Sequence, residues 1–192
     1  MAGHFTAGVE FANIMYLLTD ASVPDEDPAM LALFEMPAGP EVYAAELIAS
    51  FFKEISYLNR FDGIGDCAVD TKESVKLVIK VLEDMMAGHE AKALADAIAA
   101  SNSMRESLEL CQTEAGSDVA QLATWMYNTM RTHEILVETV SASALEHSQE
   151  MYSHVEDVWE VFFKFDQPGK TGAAIANVAF WSLGPANPDV SL

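Results

Sequence analysis

The chain has 192 residues, of which 51% are hydrophobic, which is enough for one well-filled domain and excludes a disordered protein. Its 30 Asp and Glu residues against 10 Lys and Arg give a net charge of −20, which argues against direct binding to nucleic acid or to an anionic membrane. No stretch approaches the roughly 20 apolar residues of a membrane span, and no basic stretch precedes the apolar N-terminal run, so we expect a cytoplasmic protein.

The N-terminal part of the chain shows helical spacing of its apolar residues. This spacing predicts helices over residues 5–19, 29–36 and 41–59, separated by an acidic, proline-containing loop and by a Pro-Ala-Gly-Pro stretch. The apolar residues of 41–59 cover a wide face, so we expect this helix at the centre of the core.

A capping pattern marks the start of the next helix. Asp70 followed by Glu73 predicts a helix over residues 71–88 that ends at Gly88. Part of this segment, residues 75–82, alternates like a strand, but the cap in front of it favours a helix.

Two further helices are predicted before residue 116. The alanine-rich stretch 90–101 forms a short one, and Ser103 followed by Glu106 predicts the cap of another over residues 104–115.

The longest predicted element lies near the C-terminus. Residues 117–167 contain no Gly and no Pro, Ser117 or Asp118 is a suitable N-cap, and Pro168–Gly169 is a stop signal. One continuous helix of this length would extend about 75 Å, more than a compact chain of this size can cover. The β-branched and serine-rich stretch 139–144 is therefore the expected break.

Within this long segment the apolar residues repeat every seven positions, as in the seam of a coiled coil, which predicts packing against a partner helix and self-association. One row consists of Met130, Val137, Ala144, Met151, Val158 and Phe165, and the other of Val119, Met126, His133, Val140, His147, His154 and Val161.

Three histidines in the second row raise the question of a metal site. Pairs able to share an ion are His147 with Glu150, Glu150 with His154, and His154 with Asp157, and each pair would need further ligands from another helix. The chain contains neither Glu-x-x-His nor His-Glu-x-x-His, so the ligand pattern is weak. Structural packing of His133, His147 and His154 is the favoured interpretation, ahead of a pH-sensitive interface and of a metal or haem ligand set.

The two cysteines and one glycine-containing stretch suggest metal, redox or phosphate chemistry that their surroundings in the sequence do not support. Cys67 and Cys111 belong to no Cys-x-x-Cys pattern, and we expect two reduced, buried thiols in preference to a disulfide. The Pro-Gly-Lys-Thr-Gly stretch at 168–172 lacks the first glycine of a phosphate-binding loop and a strand before it, which favours a helix stop followed by a turn.

The sequence as a whole predicts a single all-α domain over residues 1–192, a bundle of five to seven helices with a long C-terminal helix or bent helix pair at about 118–166. Without a catalytic pattern, we expect a non-enzymatic, cofactor-free interaction protein, such as an adaptor, assembly factor or inhibitor. It would bind a partner protein through a basic surface on that partner and form a homo-oligomer. The alternative is a helical bundle, with or without enzymatic activity, that binds a metal ion or haem through His133, His147, Glu150, His154 and Asp157.

Overall fold

The computed structural model describes residues 39–62, 64, 67, 69–162 and 167–192, so the helices predicted at 5–19 and 29–36 lie outside it. The described residues form α-helices and no strand, which confirms the all-α prediction. None of these helices is long and apolar enough to cross a membrane. The helices are α1 (Pro40–Asn59), α2 (Lys72–Met86), α3 (Glu90–Ala115), α4 (Ser117–Met130), α5 (His133–Phe162) and α6 (Pro168–Leu183).

The first two described helices follow the sequence prediction closely, although the cap of α2 does not. The Thr71 hydroxyl oxygen, and not the Asp70 carboxylate, accepts the hydrogen bond from the Ser74 backbone N–H at 3.2 Å. The Ser74 hydroxyl also donates to the Val69 carbonyl at 2.7 Å, which fixes the preceding chain against the new helix. Gly88 follows α2 with φ 69°, which confirms the predicted end of that helix.

The two helices predicted between residues 90 and 115 are one helix, α3, with 26 residues. The predicted cap at Ser103 is wrong: its carbonyl lies in mid-helix and accepts a hydrogen bond from the Ser107 hydroxyl at 3.1 Å. No Gly or Pro interrupts this stretch, and the low propensity of Ser and Asn costs only about 0.5 kcal/mol per residue. Packing of α3 between α2 and α4 outweighs that cost.

The long C-terminal segment breaks, but not at 139–144 as predicted. It divides at Arg131–Thr132 into α4 and α5, and α5 carries a kink at His147, where φ is −128° and ψ is 30°. Thr132 caps α5, since its hydroxyl oxygen accepts from the Ile135 backbone N–H at 3.5 Å. The predicted break stays helical, because β-branched residues and serines reduce helix propensity by only a few tenths of a kcal/mol each.

The start of α4 also differs from the predicted capping. Gly116, with φ 83°, is the N-cap residue, and neither Ser117 nor Asp118 makes a side-chain cap. The Asp118 carboxylate instead accepts a hydrogen bond at 2.8 Å from the backbone N–H of Asp62, in the loop between α1 and α2. Asp118 thus connects distant parts of the chain.

The long helix ends at Phe162, before Pro168–Gly169, as the predicted stop requires, but the turn predicted at 168–172 is wrong, because these residues begin α6. Proline is well suited to the first turn of a helix, where its missing N–H costs nothing. Gly172 permits close approach to α1, because a Cβ there would clash with the Leu47 carbonyl oxygen. Both glycines of the Pro-Gly-Lys-Thr-Gly stretch are therefore part of a helix–helix contact.

Helices α1 and α6 contact each other near both of their ends. The Tyr43 hydroxyl lies 3.5 Å from the Thr171 hydroxyl near the start of both helices. At their ends, the buried Asn59 side-chain oxygen accepts from the backbone N–H groups of Ala186 at 2.6 Å and Asn187 at 3.1 Å. The starts of the two helices thus lie at one end of the pair and their last turns at the other, so they run in the same direction.

Around this pair, α2 packs on α1 and α3, α4 packs on α3, and α5 packs on α6. Among the described side chains, the core draws mainly on α1, α2, α3, α4 and α6, while α5 contributes the buried Ala144 and packs Leu136 and Val140 against the core. Cys67 and Cys111 form a disulfide across 5.9 Å between their Cα atoms, so the expectation of two reduced thiols is wrong. Their sequence separation gave no indication that the fold brings them together.

Candidate protein-interaction surface

The residues proposed as metal ligands are spread along α5. His133 is the first residue of α5 and is exposed, and Glu150 is also exposed. His147 lies 14 residues after His133, about 21 Å of helical rise, so these two histidines cannot share an ion. The side chains of His154 and Asp157 lie outside the described residues, so the full ligand set stays a prediction.

His147 occupies the kink of α5 and packs against α6. Its ring meets the Trp181 ring edge to face, with 5.8 Å between the ring centroids. Its side chain is 24% exposed, and its Nε2 lies 3.9 Å from a Glu146 carboxylate oxygen. A histidine packed edge to face against a tryptophan ring and close to a carboxylate is typical of a structural histidine.

Within the described residues, no group of three or more His, Cys, Asp or Glu side chains is arranged to hold a metal ion. A smaller cluster of charged groups surrounds Asp84, which is buried at the end of α2. Its Oδ1 accepts from Lys92 Nζ at 2.7 Å and lies 3.4 Å from His89 Nδ1. Its Oδ2 has no hydrogen-bond partner among the described residues. Hydrogen bonding from Lys92 holds the pKa of Asp84 below its ordinary value.

The Asp84–Lys92 pair joins α2 to α3 across the turn between them, so its visible role is structural. Sequence reasoning missed it, because Asp84 looks like one of many surface carboxylates. The one available indication is its position two residues after the buried Leu82, close to the predicted turn at Gly88.

Four glutamates of α5 are exposed and are here named the glutamate ridge: Glu134, Glu138, Glu146 and Glu150. Glu134 and Glu138 are four residues apart on regular helix, so their carboxylates are neighbours on its surface, whereas the kink at His147 lies between Glu146 and Glu150. The Glu146 side chain is 80% exposed. Like charges at this spacing oppose helix formation, so the ridge has an energetic cost that a cation from outside the helix could offset.

No Lys or Arg makes an ion pair with the glutamate ridge within the described part of the chain. Two of the arginines make contacts elsewhere. Arg105 pairs with Glu106 and Glu109 on α3, and the Arg105 and Arg131 guanidinium groups lie 5.5 Å and 4.5 Å from the centroid of the Tyr127 ring. Two carboxylates of α3 are therefore partly neutralised by an arginine, whereas the four carboxylates of the ridge are not.

Glu134 differs from the rest of the ridge because it lies in the first turn of α5. Hydrogen bonding from its own backbone N–H, and then from the Thr132 hydroxyl, lowers its pKa below the ordinary value. The positive end of the helix dipole favours the same ionised form. Glu134 is accordingly a fixed negative charge at the start of the ridge at neutral pH.

Comparison with protein-family models, with curated proteins and with solved structures finds no match to this chain. Its function is therefore argued from its own surface.

Proposed function

We propose that this chain is an acidic helical interaction module that binds a basic surface on a partner protein through the glutamate ridge of α5. The observation that supports it is the set of four exposed carboxylates without a Lys or Arg partner among the described residues. A partner that brought lysines or arginines to these carboxylates would relieve the repulsion between Glu134 and Glu138 as well as form new ion pairs.

The net charge of the whole chain also favours binding to a basic partner. A net charge of −20 produces a negative potential that attracts cationic partners and speeds their association. Adaptor, assembly factor and inhibitor are roles that such binding could serve, and each of them requires only a surface and no catalytic group.

Binding of a fluorescently labelled, lysine-rich helical peptide tests this proposal, with fluorescence anisotropy as the measurement. Replacing all four ridge residues with Gln should weaken binding by about tenfold, because each exposed ion pair contributes little by itself. Raising the salt concentration should weaken binding of the unmodified protein steeply.

A matched control removes the same charge from other exposed positions: Glu41→Gln, Glu46→Gln, Glu73→Gln and Glu83→Gln. If net charge alone attracts the peptide, both fourfold variants will bind equally weakly, and the ridge will have no special role. Binding that is insensitive to salt would exclude the acidic surface altogether.

Self-association through the seven-residue seam is the second part of the prediction, and it stays a prediction. Val119, Met126 and Ala144 of the seam are buried within the chain's own fold. These three positions are therefore not available to a second copy, whereas Val137 of the same seam is exposed.

The cytoplasmic location expected from the sequence also stays a prediction. The Cys67–Cys111 disulfide is a point against it, because protein disulfides persist mainly in oxidising compartments.

Metal or haem binding gains no supporting observation from the described residues. Metal analysis and an absorbance spectrum of the purified protein remain its direct test, and a colourless, metal-free sample would count against it.

A further inference from the structure

The Cys67–Cys111 disulfide lies in the core and not on the surface. Cys67 belongs to the loop between α1 and α2 and is 7% exposed, while Cys111 is half-buried on α3. The bond joins residues 44 positions apart, so the cross-linked segment of the chain contains all of α2 and most of α3.

The loop that carries Cys67 is itself a part of the core. Phe61, Ile64 and Val69 are buried together with Cys67, although the loop belongs to neither neighbouring helix. Buried irregular backbone is uncommon, because its polar groups need partners that helices provide internally.

Contacts with the helices hold the described residues of this loop in place. At its start, the Asp62 backbone N–H donates to the Asp118 carboxylate of α4, and at its end the Val69 carbonyl accepts from the Ser74 hydroxyl of α2. Between these two hydrogen bonds, the disulfide attaches Cys67 to α3. Without the disulfide, hydrogen bonds and apolar contacts alone would have to keep the described part of the loop packed.

We propose that this chain is a substrate for oxidative thiol–disulfide exchange, and that its mature form is the disulfide-bonded protein of an oxidising compartment. A cross-link over so many residues removes much of the conformational freedom of the unfolded chain, which favours the packed loop. Once Cys67 is buried, soluble thiols have poor access to its sulfur, so the bond persists as a structural one.

The reaction requires an oxidant that itself carries a disulfide, such as an oxidoreductase or glutathione disulfide. The Cys111 thiolate, on the less buried residue, attacks that disulfide and forms a mixed disulfide, and one oxidant sulfur leaves as a thiolate. The Cys67 thiolate then attacks the Cys111 sulfur and displaces the second oxidant thiolate. The two cysteine thiols lose two electrons and two protons, and the oxidant disulfide is reduced to two thiols.

The fold itself favours the second step. It brings the Cα atoms of Cys67 and Cys111 within 5.9 Å of each other, so the Cys67 thiolate can attack the mixed disulfide from its packed position. Cells or extracts that keep both thiols reduced should then yield the chain with a loosely packed loop.

Differential labelling in the source cells tests the proposal directly. The cells are quenched in acid, thiols are blocked with one maleimide under denaturing conditions, and disulfides are then reduced and labelled with a second maleimide of different mass. Peptides containing Cys67 and Cys111 should carry the second label. If both carry the first label, the protein is reduced in its cell and the proposal is wrong.

A second experiment separates a cross-link from simple packing of two sulfur atoms. Cys67→Ala, Cys111→Ala and the double variant should all melt at about the same temperature, roughly 10 °C below the oxidised protein, because removal of either residue removes the whole cross-link. A phosphine reductant applied during unfolding should lower the melting temperature of the unmodified protein and leave that of the double variant unchanged. If the two single effects add in the double variant, or if the reductant has no effect, the bond does not stabilise the fold.

Discussion

Helix α6 separates two regions that use their polar residues in opposite ways. On one side, the pair α1–α6 contacts through neutral groups: a glycine under a backbone carbonyl, a buried amide, and two hydroxyls. On the other side, α5 packs an apolar edge on α6 and exposes the glutamate ridge. Polar groups are hydrogen-bonded within the molecule in the first region, whereas in the second region the glutamates are exposed and make no ion pair with a described Lys or Arg. Changes in the first region should therefore affect stability, and changes in the second should affect binding.

The largest effect is expected at Gly172. In Gly172→Ala the new methyl group would approach the Leu47 carbonyl oxygen and the Phe51 backbone nitrogen, and backbone atoms cannot rotate away. Separation of α1 from α6 should cost about 3 kcal/mol and lower the melting temperature by about 6–12 °C. Thermal unfolding followed by circular dichroism measures this loss.

Gly169→Ala is the matched control, because its methyl group would meet only the Ser50 hydroxyl at 3.3 Å, the movable end of a short side chain. We expect little change there, since the helix propensity of alanine offsets a small adjustment. Equal losses in both variants would show that the helices do not depend on close approach at Gly172.

A smaller loss is expected at Asn59, where α1 holds the chain that follows α6. In Asn59→Ala the backbone N–H groups of Ala186 and Asn187 would lose their acceptor, at a cost of about 2 kcal/mol or 4–8 °C in melting temperature. Residues 184–192 should also become more sensitive to limited proteolysis, which mass spectrometry detects.

The control for Asn59 is Asn177→Ala. The Asn177 amide donates to Ala173 within its own helix, so its removal should leave both the melting temperature and the proteolysis pattern nearly unchanged. An Asn59 variant that behaves like this control would show that the C-terminal chain is held by other contacts.

The smallest effect on stability is expected in the ridge. Glu146→Gln combined with Glu150→Gln removes two exposed negative charges from a chain of net charge −20, so the free energy of unfolding should change by no more than about 0.5 kcal/mol, towards greater stability. Chemical denaturation measures the change, and a large loss would mean that these side chains make structural contacts after all.

Much of the helical structure follows from local signals. The apolar face of residues 41–59 predicted α1, and the stop at Gly88 predicted the end of α2. Predictions were wrong where the same residue type occurs in two structural settings. Ser103 resembles a helix cap but lies within α3, and Pro168 resembles the start of a turn but is the first residue of α6. Which setting applies depends on neighbours that lie far away in sequence.

The candidate site shows the same division. Periodicity placed His133, His147 and Glu150 on one long segment, and the structure confirms that they share α5. Their separation along α5 and the contact of His147 with Trp181 came from the fold, since neither the kink nor the facing helix has a local signature. The glutamate ridge was visible only as a general excess of acidic residues.

By itself, the sequence determined that this chain is acidic, helical and rich enough in apolar residues to fold, because these properties depend on composition and on spacing within single helices. The tertiary structure decided which faces meet, that Cys67 bonds to Cys111, and that Gly172 is a contact and not a turn. The physical reason is that close packing and cross-links depend on distances between residues more than 40 positions apart, and no local pattern encodes those distances.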